Sequence, residues 1–302
     1  MAVIVKKFKK IEREVQLPVG RYYPQIRSRH PSHRGLRRSL ARLPFRSVIR
    51  LGSLTELDDL PRVELNSAEA IRNSSSKLRM KQCFTRNGVK TAEWWKYNSQ
   101  SNSFILHGEG DQSRLIANLE YPIVAKSHNG SRGRGNTLLK TADDVHNFIN
   151  ARPNNLNGYI FEKYCNFNKE YRLHVTADGC FYTCRKMLRQ KFRDHPNSWQ
   201  RHDDNCVWIL EENENFDKPN NWNEIVEHCV KAVVSCGLDF GACDLRVQNN
   251  TNADGERRDN PDFIVVEVNS APSFGDMTLV KYKEELPKLL VKKAIEKGIY
   301  RE

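Results

Sequence analysis

Asp244 and Arg246, in the run LDFGACDLRV, and Glu267 and Asn269, in FIVVEVNS, are the side chains of this 302-residue chain best spaced for chemistry. Successive side chains on a strand point to opposite faces, so Glu267 and Asn269 share one face. If the two runs pair as neighbours, Asp244 joins them. Two carboxylates and an amide oxygen, convergent and strand-borne, form a hard oxygen set. Such a set suits Mg2+, with Mn2+ as an alternative, because one or two carboxylates hold the ion and substrate phosphates complete its shell. A plainer reading stands beside it, in which these are polar residues that close strand ends.

A second constellation lies upstream in YPIVAKSHNGSRGRGN. An apolar strand delivers Lys126, and Gly130, Gly133 and Gly135 follow with Arg132 and Arg134 among them. Glycines let backbone N–H groups approach phosphate oxygens closely, and the lysine adds a fixed charge. A flexible hairpin is the alternative. The pattern is neither a Walker A loop nor a dinucleotide fingerprint, since no Gly-Lys-Ser/Thr opens a helix and the glycine spacing is wrong. Further on, YIFEKYC places Glu162 at a strand end. NKEYRLHV then alternates Glu170, Arg172 and His174 onto one face. A mid-strand arginine must find an anion or a carboxylate, whereas His174 reads as a satisfied strand histidine. No GxSxG or HExxH motif frames a rival nucleophile or zinc site.

Taken in order and spacing, the lysine strand, Gly-rich loop, EKY hinge, EYR strand, DLR strand and EVNSAPSFG resemble the ATP-grasp superfamily. The nearest resemblance is to carboxylate–amine ligases related to D-alanine–D-alanine ligase and the ribosomal-protein glutamate ligases, over about residues 48–297. The resemblance implies an α+β ATP-grasp fold, two α+β subdomains gripping a nucleotide, and an ADP-forming ligase that activates a carboxylate as an acylphosphate for attack by an amine. It implies that Lys77 and Lys126 contact the nucleotide and that loop 127–135, with Gly130, Gly133 and Gly135, closes over the phosphates. Glu162, Lys163, Tyr164 and Cys165 would form the adenine hinge, and Glu170 would reach the ribose side. Asp244, Glu267 and Asn269 would hold Mg2+. Arg172 and Arg246 would stand near the transferred phosphate or the substrate carboxylate, and Lys186, Arg201 and His202 fall where such proteins present substrate or phosphate contacts. One departure is the short stretch ahead of residue 66, where such ligases usually carry a full α/β domain.

The elements that must position these groups are legible in outline. Strands are expected at VIRL, TAEWW, SFILH, YPIVAK, GYIFEKY, YRLHVTA and CFYTCRKML, the last two joined by the hairpin signal Asp178-Gly179. Helices are expected from the Asn66–Glu69 capping box, from about Ser76 to Asn87, after Thr141, over 222–236 and near 284–297. Residues 189–205 are polar and read as a long mobile loop. The alternation argues for mostly antiparallel sheets. The expected division is a basic arm and reduced segment (1–65), a small subdomain (66–163) and a large, metal-bearing subdomain (164–302).

The formal net charge is +12, and all of it sits in residues 1–50, with fourteen lysines and arginines against two glutamates. The remainder balances to zero. Such an arm suits an acidic partner, whether nucleic acid, a phosphorylated substrate or an acidic protein surface; ordinary ion pairs over the body are the alternative. The eight cysteines form no CxxC and several lie in apolar runs, which reads as reduced thiols in a cytoplasmic protein. No apolar stretch reaches membrane length, and MAVIVKKFKK has the reverse order of a secretory signal. Two other functions fit the same motifs: an ATP-grasp kinase whose acceptor is a hydroxyl, and a non-catalytic scaffold that binds nucleic acid or protein through the arm.

Overall fold

The computed structural model describes residues 19–301 except 38, 59–61, 107–112, 131–132, 134, 196–197 and 202–203. Its contacts divide the chain into two compact units, Met1–Ala68 with Ala271–Glu302, and Glu69–Ser270.

The first unit is built on β1 (Gln25–Arg27), α1 (Arg34–Arg37), β2 (Ser47–Arg50) and β3 (Val63–Leu65). The strands form a sheet of order β1-β2-β3, parallel throughout, with Gln25 opposite Val48 and Ser47 opposite Val63. All four residues of β2 are buried, as a central parallel strand requires. The C-terminal helix Asp276–Glu296 packs on β3 and α1, burying Tyr282, Leu286, Leu290, Val291 and Ala294. The basic stretch expected as an arm is therefore folded from residue 19 onward; residues 1–18 lie outside the described residues. This is the one parallel sheet among the described residues, and its three- and four-residue strands are too short to show a period. The C-terminal helix also begins at Asp276, two turns before its expected start, and carries Pro287 in its interior.

The second unit opens with α2 (Ala68–Ser75) and α3 (Lys77–Arg86). Ser76 caps α3 by accepting from Arg79 N, whereas Asn66, at φ 61°, sends its side-chain amide to Arg50 O. Then come β4 (Trp94–Asn98), β5 (Ser103–Leu106), β6 (Ser113–Leu115), β7 (Ile123–Ser127), β8 (Thr137–Leu139), α4 (Ala142–Asn150) and β9 (Tyr159–Lys163). These strands make an antiparallel sheet of order β6-β5-β4-β9-β7-β8. Its core holds Trp95, Phe104, Ile123, Ala125, Phe161 and, from the capped helix α4, Val145 and Phe148.

A second antiparallel sheet has order β12-β11-β10-β13-β14 and comprises β10 (Lys169–Thr176), β11 (Gly179–Leu188), β12 (Cys206–Leu210), β13 (Phe240–Val247) and β14 (Phe263–Asn269). Between β12 and β13 runs α5 (Trp222–Ser235); after β14 the C-terminal helix is α6. The two faces of this sheet differ in kind. Tyr171, Leu173, Val175, Cys243, Leu245, Val247, Phe263 and Val265 are fully buried and share one cluster with Ile225, Cys229 and Val233 of α5. Alternation along the same strands sends Glu170, Arg172, Asp244 and Arg246 to the other face. Burial of the apolar set against α5 thus fixes which side carries the polar set.

Candidate active site

Register brings the polar residues together. Across the sheet, Lys186 stands opposite Glu170, Glu170 opposite Arg246, Cys184 opposite Arg172, Arg172 opposite Asp244, and Asp244 opposite Glu267. The register shifts between Asp244 and Leu245, whose partners are Glu267 and Val265, so Val266 is an extra residue. This bulge lies beside the carboxylates, where bulges re-aim side chains.

Asn269 Nδ2 is 3.3 Å from Asp244 Oδ2 and 3.3 Å from Glu267 Oε1. One point is therefore within reach of all three side chains expected to hold a metal. Turning the amide about its last bond presents oxygen in place of nitrogen, and the set becomes two carboxylates and an amide oxygen. Among the described residues no three His, Cys, Asp or Glu side chains cluster as metal ligands. Two carboxylates and an amide oxygen are hard donors of the kind that suits Mg2+ when phosphate oxygens supply the remainder.

Arg172 clamps Asp244 with two bonds, Nε to Oδ1 at 2.6 Å and Nη2 to Oδ2 at 2.8 Å. Burial alone would raise the Asp244 carboxyl; the guanidinium outweighs it and holds the group below its ordinary range. The arginine also lies over the Trp208 ring, 4.7 Å from its centroid, and Lys186 Nζ is 5.2 Å from the same ring. Glu170 pairs with Lys186 at 3.6 Å and with Arg246 at 3.3 Å. His174 is buried and neutral, its pKa pushed down to about 3 by burial and then by Arg172.

The loop after β11 is tied to this cluster. Lys186 Nζ donates to Arg201 O at 2.8 Å, Arg246 Nη2 to Trp199 O at 2.8 Å, and Gln200 Nε2 to Asn136 O at 3.3 Å. Arg201 in turn donates to Asn168 O and to Lys186 O. His202 lies outside the described residues.

The six-stranded sheet supplies a second ionic centre. Glu162 Oε2 is 2.7 Å from Lys126 Nζ, and its Oε1 is 3.4 Å from Lys81 Nζ. The three side chains are only 5%, 14% and 1% exposed, respectively, so the carboxylate is consumed by the two lysines. Burial would raise Glu162, but Lys126 and Lys81 together bring it below its usual value. Lys81 is pushed down to about 8 by burial, partly offset by Glu162. Lys81 was not among the residues expected to matter. Lys77, one turn earlier, was; its ammonium donates to Gly130 O, and burial lowers its pKa against the pull of Glu267. The missed signal was the i,i+4 spacing of two lysines on one helix, with buried Met80 and Phe84 beside the second.

The remaining expected positions fall as follows. Gly133 and Gly135 have φ of 71° and 77°, a conformation that favours glycine, in the turn joining β7 to β8. Lys163 points its side chain to Glu120, while its backbone N–H donates to Glu93 O at 2.9 Å. Tyr164 N donates to Pro122 O at 3.1 Å, and its ring meets Trp199 edge-on at 6.4 Å. Cys165 is half-buried in the segment that leads from β9 into β10.

The D-alanine–D-alanine ligase from Bacillus anthracis complexed with ATP superposes with a TM-score of 0.51 at 12% identity, over 78% of this chain and 71% of that one. An ATP-grasp ligase PsnB complexed with a minimal precursor matches at TM-score 0.48 and 15% identity, over 76% and 64%. The N5-carboxyaminoimidazole synthase from Aspergillus clavatus, in complex with ADP and its ribonucleotide, matches at 0.45 and 16%, over 74% and 52%. No protein-family model and no curated protein sequence matches the chain. The chain thus has the ATP-grasp fold that the D-alanine–D-alanine ligase shares. No helix among the described residues is long and apolar enough to cross a membrane.

Proposed function

We propose that this protein is an ATP- and Mg2+-dependent, ADP-forming ligase that joins a carboxylate to an amine through an acylphosphate. The observation that carries the reading is the convergence of Asp244, Glu267, Asn269 and Arg172 on the face of the five-stranded sheet opposite its apolar core. A sheet stabilised only by packing has no need of a clamped carboxylate pair opposite its core.

A carboxylate is a poor electrophile, and transfer of the γ-phosphoryl group of ATP gives it a good leaving group. The carboxylate oxygen attacks phosphorus, ADP departs, and an amine then displaces phosphate from the acyl carbon. Such a reaction asks the protein for position and charge rather than for a nucleophile. Mg2+, bound by Asp244, Glu267 and Asn269, would neutralise charge on the phosphate oxygens. Lys126 spends one donor on Glu162 and keeps further N–H groups for phosphate, while Lys81 donates to Glu162 and to Thr91 Oγ1 and adds its charge from behind. Lys77 and the loop 127–135 would cover the phosphates and exclude water. Arg172, Lys186 and Arg246 would orient the acceptor carboxylate or the transferred group, and the backbone of 162–165 would meet the adenine edge.

The test is release of ADP and phosphate from Mg-ATP over a pool of carboxylates and amines, with and without hydroxylamine. Release that rises with hydroxylamine, together with a hydroxamate, establishes carboxylate activation. ADP formed with no hydroxamate in the presence of a hydroxyl acceptor moves the reading to a kinase.

A further inference from the structure

From residue 19 to residue 55 the chain has no acid, and its nine cations are all arginine; no lysine occurs between residues 11 and 76. The C-terminal helix of the same unit is composed differently. Its cations are lysines 281, 283, 288, 292 and 293, interleaved with Glu284, Glu285 and Glu296. That mixture is an ordinary solvated face. Solubility does not require arginine to the exclusion of lysine. Planar guanidinium groups that stack on rings and fork onto phosphate do require it.

The fates of these arginines separate structure from surface. Arg50 is buried, pairs with Glu64 and donates to Ser53 O at 3.1 Å. Arg21, Arg29, Arg34, Arg37, Arg42 and Arg46 are exposed, and none makes an ion pair among the described residues.

Two of them are organised with aromatic rings. Tyr22 N donates to Leu43 O at 3.0 Å, and Leu43 N to Tyr22 O at 2.8 Å, which pins residues 21–23 beside 42–46. A Cβ on Gly20 would lie 1.7 Å from the Leu43 carbonyl carbon, so only glycine permits this approach. On the pinned pair, Arg42 lies 4.6 Å from the Tyr23 ring centroid and Arg46 lies 5.6 Å from that of Tyr22. Tyr22 and Tyr23 are 41% and 58% exposed, too much for rings that serve a core.

Stacked rings and guanidinium planes suit unpaired bases, and the free N–H edges suit the phosphates between them. A duplex would call for an element that enters a groove, and the helix in this stretch, α1, has four residues. An acidic polypeptide would use the charge but not the exposed rings. We infer that the surface formed by Tyr22, Tyr23, Arg42 and Arg46 binds single-stranded nucleic acid. This binding is separate from the ligase chemistry and stands or falls without it.

The experiment is fluorescence anisotropy of the full chain with labelled oligouridylate and oligothymidylate of about twelve nucleotides, from about 50 to 200 mM KCl. Expected is binding to one or both probes that weakens with salt, with a log–log slope of about −3 for four neutralised phosphates. Tyr22→Leu with Tyr23→Leu weakens binding roughly tenfold at fixed salt and leaves the slope unchanged. Arg42→Ala with Arg46→Ala weakens binding and makes the slope shallower by about 1.4. Circular dichroism of each variant verifies the fold. Lys292→Ala with Lys297→Ala removes equal charge from the same unit and leaves affinity within about twofold. Three results overturn the assignment: no binding at the lowest salt, an equal loss in the lysine control, or binding of polyglutamate that is as tight and insensitive to the tyrosines. The last would make the surface a dock for acidic polypeptides. A stronger response to the ribose or the deoxyribose probe identifies which nucleic acid is preferred.

Discussion

The two ionic centres of the second unit use the same residue types to opposite ends. Lys81, Glu162 and Lys126 form a closed group, with side-chain exposures of 1%, 5% and 14%. Two ammonium groups share one carboxylate, so the group is a net positive pole whose members satisfy one another. Arg172, Asp244, Asn269 and Glu267 form a group of the opposite sign, two carboxylates against one guanidinium, in which Arg172 and Asp244 are 17% and 12% exposed and the opening lies at Glu267. Glu267 is half-buried, and the hydrogen bond described for its carboxylate comes from Asn269. A buried charge is held by its partners and costs much to orphan, while an exposed one is available to a ligand. On the ligase reading, the positive pole faces the polyphosphate and the negative pole faces its cation.

That contrast breaks most sharply at Glu267. Glu267→Ala is expected to lower turnover about 100-fold or more, the scale of losing one preorganised electrostatic contact. Its stability should fall by no more than about 1 kcal/mol, since one weak hydrogen bond is lost. Steady-state ADP release and a urea melt measure the two. A fully active variant would sink the metal assignment. Glu162→Ala should show the reverse emphasis, a loss of about 3–5 kcal/mol because two lysines are left without their partner. Equal stability of the two variants in urea would erase the distinction between the centres.

Titration sharpens the same comparison. Lys81 titrates at about 8, below the ordinary 10.5. Its ammonium form predominates below that value and is lost as pH rises through it. ATP affinity, measured by calorimetry, should therefore decline from pH 7 toward pH 9, with proton uptake on binding near pH 8. Stability has the opposite sign. The unfolded chain binds this proton more tightly, so the lysine's contribution to folding becomes more favourable as pH rises from about 8 to 10.5. Lys81→Met should flatten both profiles. The smallest effect belongs to Trp208→Leu, which removes the ring beneath Arg172 and Lys186. About 0.5–1 kcal/mol of stability is expected to go, with turnover changed by no more than about threefold. A collapse of activity would instead give the indole direct contact with substrate.

Much of the open centre was legible because strand alternation is a local rule. The runs ending in Asp244-x-Arg246 and Glu267-x-Asn269 each carry one apolar face, and pairing them placed the three side chains together, with Asn269 Nδ2 toward both carboxylates. Arg172, a mid-strand cation, found the carboxylate it required in Asp244. The closed centre was hidden. Lys77 and Lys81 lie one turn apart on α3 with equal claim by type and spacing, and only packing put the second against Glu162, eighty residues away. The bulge at Val266 was also beyond reach, since a register shift is a property of two strands and not of either one.

The N-terminal unit marks the same boundary. Its arginine bias is plain in the sequence, as are the strand at VIRL and part of the C-terminal helix, yet the parallel pairing of three short strands beneath that helix has no local signal. The sequence alone determined which faces were polar, where the glycine turns fell, and that carboxylates and lysines would be presented at strand ends. Tertiary structure decided which charges were sealed together and which were left open. Those outcomes depend on burial and on partners distant in sequence, and the Coulomb and desolvation energies that set them exist only once the chain has folded.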